Sequence, residues 1–229
     1  MEHFFLPNVP QEVFTVEGDT YRHLTRSRRM AVGDIAVFSD GKGMDYQAEM
    51  IACTKDSATF KVIERTAVDE GTLSITVYQC LPKADKMEEV LHRCTPLGVT
   101  RFVPVKSARS IGTPPNENKR KRWEKIVLSA ATQSGRSILP EIASVYSFTE
   151  AVEEMRQADA FFICYENSDS PLPPLPREGS LAFLIGPEGG LTPEEAESLP
   201  TCTLGRRILR TEDAAAFLLP ILLDRTGNL

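Results

Sequence analysis

Two glycine-hinged segments near the C-terminus have residue types and spacing that can do chemistry. Gly186-Pro187-Glu188-Gly189-Gly190 follows the apolar run Leu181-Ala182-Phe183-Leu184-Ile185 and precedes Thr192-Pro193-Glu194-Glu195, a helix-start pattern. After that helix comes Leu204-Gly205-Arg206-Arg207-Ile208-Leu209-Arg210-Thr211-Glu212. Glycine reaches positive φ and lets a ligand approach main-chain atoms, so two such bends can wall one cleft. The first bend lacks the Gly-Lys-Ser/Thr of a P-loop and does not fit Gly-x-Gly-x-x-Gly, which argues against nucleotide hydrolysis and dinucleotide binding. It offers main-chain donors and acceptors and one carboxylate, Glu188. That set suits an adenosyl group held in a crevice at the C-terminal ends of strands. A tight turn capped by Thr192 is the plainer alternative, and capping and binding can both hold. In the second bend, Arg206, Arg207 and Arg210 flank Ile208-Leu209, an apolar cover for an adenine ring. The Arg210 guanidinium can fork onto phosphate or a substrate base. A solvated basic turn is the alternative there.

The net charge of −6 argues against a nucleic-acid partner until charge placement is considered. Arg22, Arg26, Arg28 and Arg29 fall within eight residues, and Lys119, Arg120, Lys121, Arg122 and Lys125 within seven, beside Trp123. Each cluster is either a phosphate-tracking surface or an ordinary solvated face, with Trp123 expected in the core. Five cysteines without a Cys-x-x-Cys pair and three scattered histidines suggest buried, reduced thiols, with neither a disulfide framework nor a metal site. No Ser-His-Asp pattern can be assigned.

Around these segments, residues 1 to about 70 read as mainly β, with strands at Val13–Val16, Asp34–Ser39, Tyr46–Ala52 and Thr59–Ile63. Asp40-Gly41-Lys42-Gly43 is a hairpin turn signal, and a helical piece from Thr20 to Met30 carries the first arginine cluster. Short strands at this spacing suggest a small barrel. From Thr72 strands and helices alternate: strand Leu73–Leu81, helix Ala84–Leu97 capped by Gly98, strand Val99–Val105 and a long helix Asn116–Gly135. Then come helix Phe148–Ala158, strand Ala160–Tyr165, a proline-rich extended loop 169–177, strand 181–185, helix 193–199, a short strand 201–204 and a last helix from Glu212. Such alternation implies an α/β domain with a mainly parallel sheet. The expected division is a small β-barrel domain, 1–71, and an α/β domain, 72–229, in a chain of 229 residues. The N-terminus lacks a signal-peptide pattern, and the longest apolar stretch is far short of the roughly 20 residues that span a bilayer. A cytoplasmic location is expected.

Taken together, these residues resemble the SPOUT-class RNA methyltransferases of the RsmE type, over essentially the whole chain. The specific motifs are Gly186-Pro187-Glu188-Gly189-Gly190 and Leu204 to Glu212; supporting ones are His23-Leu24, Arg28-Arg29-Met30, Lys83 to Met87, Leu97-Gly98-Val99, Arg109-Ser110, Arg122-Trp123 and Gln133-Ser134-Gly135-Arg136. Pro96, Ser129, Asp213 and Pro220 depart from the family pattern. The resemblance implies a PUA-like N-terminal RNA-binding domain, a C-terminal SPOUT-like domain with a trefoil knot, and a homodimer that completes each active site. It also implies transfer of a methyl group from S-adenosylmethionine to uracil N3 in small-subunit (16S) ribosomal RNA. The alternatives are a ribose 2′-hydroxyl acceptor, or a non-catalytic RNA-binding or assembly factor. On that footing Tyr165, Leu184, Ile185, Gly186, Gly189, Gly190, Leu204, Gly205, Ile208 and Leu209 are expected to hold the cofactor. Arg210, Arg136 and Glu188 are the candidates for catalysis, and Arg22, Arg26, Arg28, Arg29 and Arg122 for RNA contact.

Overall fold

The computed structural model describes residues 3–6, 12–27 and 29–229. They form two compact units, Met1–Glu70 with Ala131–Leu139, and Gly71–Ala130 with Pro140–Leu229. Arg28 lies outside the described residues.

The N-terminal unit is one five-stranded sheet of β1 (His3–Phe5), β2 (Val13–Glu17), β3 (Ile35–Ser39), β4 (Met44–Cys53) and β5 (Ser57–Ala67). Its order is β1-β3-β4-β5-β2, and only β1–β3 is parallel. Among the described residues β1 and β2 do not pair with each other, so the sheet is a half-barrel rather than a closed one. Alternation along β4 turns Tyr46, Ala48 and Met50 inward, where they join Phe4, Leu24, Phe38 and Phe60. Phe38 meets Phe60 and Phe14 edge-on, at 4.8 and 5.0 Å between ring centres. The Asp40 carboxylate accepts from the Lys42 and Met44 amides (2.7 and 3.1 Å), which closes the predicted hairpin turn. The expected helix Thr20–Met30 is instead α1 (Gly18–Arg22) running into a π-helical turn, His23–Ser27. Arg29 at φ 56° takes the chain out of the helix.

Residues 131–139, at the end of the long helix, group with this unit although they are distant in sequence. The Ser137 carbonyl accepts from Gly43 N (3.1 Å) and Ser39 Oγ (3.0 Å), and Leu139 N donates to Gly41 O at 2.9 Å. The hairpin turn and the segment thus satisfy main-chain groups of each other.

In the C-terminal unit, β6 (Leu73–Cys80), β7 (Val99–Lys106), β8 (Glu141–Ile142), β9 (Tyr146–Ser147), β10 (Ala160–Cys164), β11 (Gly179–Ile185) and β12 (Thr201–Cys202) form a parallel sheet. The order is β12-β10-β11-β6-β7-β8, with β9 also on β7. The helices are α2 (Lys86–Cys94), α3 (Glu117–Ser134), α4 (Phe148–Met155), α5 (Pro193–Ala196) and α6 (Thr211–Thr226). The strand β11 is buried on both faces from Leu181 to Ile185, hence its continuous apolar run, whereas β6 interleaves Ser74, Thr76 and Gln79 with its apolar residues. Successive residues still alternate: Leu181, Phe183 and Ile185 join Trp123, Phe162, Leu218 and Leu222 on one face. Ala182 and Leu184 join Val103, Met155 and Ile163 on the other.

Pro96, without an amide hydrogen, tightens the end of the expected helix Ala84–Leu97 into a 3-10 turn, Thr95–Leu97, closed by Gly98 at φ 81°. Ala84 at φ 56° delays the start of α2 to Lys86. Pro220 costs one hydrogen bond, yet α6 continues through it. The expected helix 193–199 shortens to the single turn of α5, and the strand 201–204 to two residues. Strands β1, β8 and β9, of three, two and two residues, are too short to show a period. Of the five free cysteines, Cys80, Cys94 and Cys202 are buried, but against expectation Cys53 is exposed and Cys164 only half-buried.

On the Leu184 face, Glu154 accepts from Tyr78 (2.7 Å) and Tyr146 (2.8 Å) and pairs with Arg101. Burial opposes ionisation of Glu154, but these donors outweigh it and hold its carboxyl below the usual range. A depressed carboxyl contributes stability that is complete above its unfolded pKa, roughly 4.3, and is lost as pH falls through the native value. Glu154→Gln should therefore cost roughly 1–3 kcal/mol in urea unfolding at neutral pH, and the gap to the parent protein should narrow as the pH is lowered past the carboxylate range.

Candidate functional site

The two glycine bends meet at the C-terminal ends of β10, β11 and β12 and wall a cavity of about 510 Å³. The Thr211 hydroxyl, at the first position of α6, donates to the Gly186 carbonyl at 2.6 Å and accepts from the buried Gln79 side chain at 2.9 Å. Lys86 opens α2 and places its ammonium 3.2 Å from both Glu188, in the first bend, and Glu212, after the second. The Arg109 guanidinium donates to the carbonyls of Gly189 (3.3 Å) and Leu191 (3.1 Å). Thr192 and Glu195 close a reciprocal capping box, so the sequence pattern of a helix start is realised as one turn directly behind the bend.

Gly190 sits at φ 67°, and a Cβ there would lie 2.6 Å from Glu166 Oε1. Gly205 at φ 111° has nothing within 4 Å of its Cβ position, so its hydrogens face open space. Main-chain atoms are therefore exposed at both bends, in the arrangement that lets a flat ligand lie against backbone.

Of the residues predicted to hold a cofactor, Tyr165, Ile185, Gly186, Gly189, Gly190, Leu204, Gly205, Ile208 and Leu209 line the cavity. Leu184 does not, because strand alternation turns it into the opposite apolar cluster, away from Ile185. Ile208, 86% exposed, stands free at the rim. Glu188 lines the cavity but is bound on its oxygen Oε1 by the Lys83 amide (3.0 Å) and Lys86. Burial pushes its carboxyl up; its own backbone amide, that of Lys83 and the Lys86 ammonium outweigh this and hold it below the usual range. A carboxylate stabilised in that way is a brace rather than a base. The Lys86 ammonium is held above the ordinary lysine range, first by Glu212 and then by Glu188. Arg210 also lines the cavity; its side chain is 79% exposed and 4.0 Å from Glu212.

Arg136, the third catalytic candidate, is not among the lining residues. It is 93% buried in the N-terminal unit, paired with Glu70 at 2.7 Å, and the same carboxylate accepts from the amides of Ser137 and Ile138 (2.5 and 2.8 Å). In this chain it holds the 131–139 segment. Arg122 pairs with Glu88 at 2.7 Å, Lys121 with Glu117, and Arg120 donates to the Ile142 and Ala143 carbonyls. The basic cluster of α3 is thus largely engaged within the fold, and Trp123 is buried as expected. Of the first cluster, Arg22 pairs with Asp19, and Arg26 and Arg29 are exposed.

Sequence reasoning passed over Lys86, Glu166 and Glu212 as site residues. Only the Lys83–Met87 and Leu204–Glu212 motifs hinted at Lys86 and Glu212; Glu166 gave no signal beyond its place after Tyr165.

A family model for an RNA methyltransferase domain matches residues 69–223, and one for an RNA methyltransferase PUA domain matches 16–63. The chain is 34% identical, over 96% of its length and 94% of the relative's, to ribosomal RNA small subunit methyltransferase E of Bacillus subtilis. It is 32% identical to the Synechocystis protein of that name, over 84% of this chain and 66% of the other. The crystal structure of a ribosomal RNA small subunit methyltransferase E from Neisseria gonorrhoeae bound to S-adenosyl methionine superposes with a TM-score of 0.87 at 31% identity, covering 98% of both chains.

Gly190→Ala should destabilise the protein by about 1–2 kcal/mol in urea unfolding through its left-handed backbone alone, and Gly190→Val by more, so neither variant is a pure probe of ligand space. Glu70→Ala should cost roughly 3 kcal/mol or more by leaving Arg136 buried and without this partner, read from the same unfolding curves.

Proposed function

Because the chain belongs to the ribosomal RNA small subunit methyltransferase E family, we propose that it transfers a methyl group from S-adenosylmethionine to N3 of a uridine in 16S ribosomal RNA. The observation that carries this reading is the single cavity built from two main-chain bends, of a size within the roughly 300–1,000 Å³ of small-molecule sites. The fit is chemical as well as volumetric. Open space at Gly205, the exposed backbone of the Gly189-Gly190 bend and the apolar pair Ile208-Leu209 suit a flat adenine. When bound, the cofactor supplies a methyl group already activated on a sulfonium, so the protein's task is placement.

The residues of this chain divide that task. Tyr165, Ile185, Gly186, Leu204 and Leu209 wall the nucleoside; Lys86, Thr211 and Arg109 fix the bends. Uracil N3 carries a proton that is lost to solvent water, leaving an anion whose charge spreads over O2 and O4; as the N3–C bond forms, the methyl–sulfur bond breaks and its electron pair stays on sulfur as a neutral thioether. Arg210, 79% exposed at the mouth with Glu212 4.0 Å away, is placed to stabilise that charge or to hold the adjoining phosphate. Glu188 and Arg136 are read as structural. We place RNA contact on residues 1–71, through Arg22, Arg26 and Arg29, and chemistry on 72–229. The active form is inferred to be a homodimer, on the family resemblance alone, and its location cytoplasmic, since ribosomal RNA is the substrate.

Arg210→Ala should lower the rate of methyl incorporation into small ribosomal subunits by roughly a hundredfold while cofactor affinity by calorimetry stays near that of the parent. A full rate would remove Arg210 from the chemistry. Mass spectrometry of the product nucleoside should show N3-methyluridine; a 2′-O-methyl product, or none from a well-folded sample that binds RNA, would replace this reading with one of its rivals.

A further inference from the structure

Three carboxylates line the cavity, and two of them are already spoken for. Lys86 holds Glu188 and Glu212. The third, Glu166, follows β10 and lies across the face of Gly190, with Oε1 2.6 Å and Oε2 4.0 Å from the position of an added Cβ. Among the described residues neither oxygen takes part in a hydrogen bond or an ion pair. Its side chain is exposed to the cavity rather than packed, so nothing in the fold accounts for a carboxylate at this point. An ionised carboxylate only accepts, and its two oxygens match a pair of neighbouring hydroxyl donors.

We propose that Glu166 is a ligand-binding residue that accepts hydrogen bonds from the two ribose hydroxyls of the adenosyl cofactor. This rests on the cofactor assignment made above. The surroundings favour the sugar. The second bend, with Ile208-Leu209 and the open face of Gly205, takes the flat base, and Arg206, Arg207 and Arg210 make that side suited to anionic groups. The first bend, where Glu166 meets Gly190, has no cation on the carboxylate and no side chain on the glycine. That leaves a recess in which a vicinal diol can lie against backbone with its hydroxyls on one acid, the same solution by which an acidic residue holds ribose in dinucleotide sites. Gly190 is then required twice: for its left-handed φ and for the space that Glu166 and the sugar share.

The test is calorimetry of the full-length protein and its Glu166→Gln and Glu166→Ala variants with two ligands, S-adenosylmethionine and 5′-methylthioadenosine. The second retains the ribose but lacks the ammonium, the carboxylate and the positive sulfur. Glu166→Ala should weaken both ligands alike, by roughly tenfold to a hundredfold, with Glu166→Gln intermediate. Loss confined to S-adenosylmethionine would assign Glu166 to the ammonium or sulfonium and overturn the proposal, as would unchanged affinity. A fall in saturated rate with intact affinity would make it a proton acceptor, and also overturn it. If the parent protein binds neither ligand, the cofactor assignment itself fails, an outcome distinct from failure of Glu166.

Discussion

The Thr211 hydroxyl, 2.6 Å from the Gly186 carbonyl, ties the start of the last helix to the end of strand β11. Everything at the cavity depends on that tie. The carbonyl belongs to the residue just after a parallel strand; the hydroxyl belongs to a helix whose first residue has no side-chain cap before it. Each end would otherwise carry an unsatisfied group at the bottom of a crevice, where leaving one costs roughly 1–3 kcal/mol. Gln79, buried at the end of β6, donates to the same hydroxyl and so fixes which way its proton points. The two glycine bends are thereby held at one height above the sheet.

Charge does the same work on the outer side. Lys86 stands between Glu188 and Glu212 at 3.2 Å from each, so a single ammonium spans the two bends. This arrangement resolves the roles of the acids. Glu188, in the most distinctive motif of the chain, is consumed in holding its own loop, while Glu166, in no motif, has oxygens to offer. Availability for a ligand is a matter of which partners remain.

The arginines divide by the same criterion. Arg136 and Arg122 are engaged with Glu70 and Glu88, and their charge serves the fold. Arg210 projects from the cavity mouth with a carboxylate no nearer than 4.0 Å. A chain of net charge −6 can still carry locally basic surface, because the placement of charges rather than their sum sets the local field.

Much was legible in the sequence because it is local. Strand-like segments marked β2 to β7, the apolar run 181–185 marked β11, and Thr192-Pro193-Glu194-Glu195 announced its capping box. The glycine spacing located the cavity walls, and the family resemblance supplied the chemistry that spacing alone left open. Composition could not supply the rest, because it depends on which distant atoms meet. Strand parity sends Leu184 away from the cavity while its neighbour Ile185 lines it. Two-residue strands and the grouping of 131–139 with the N-terminal unit exist only as pairings across the chain. Residue types and their periods determine secondary structure and mark where the backbone must bend; whether a given charge is bound or free is decided only when the folded chain brings its partners within hydrogen-bond reach.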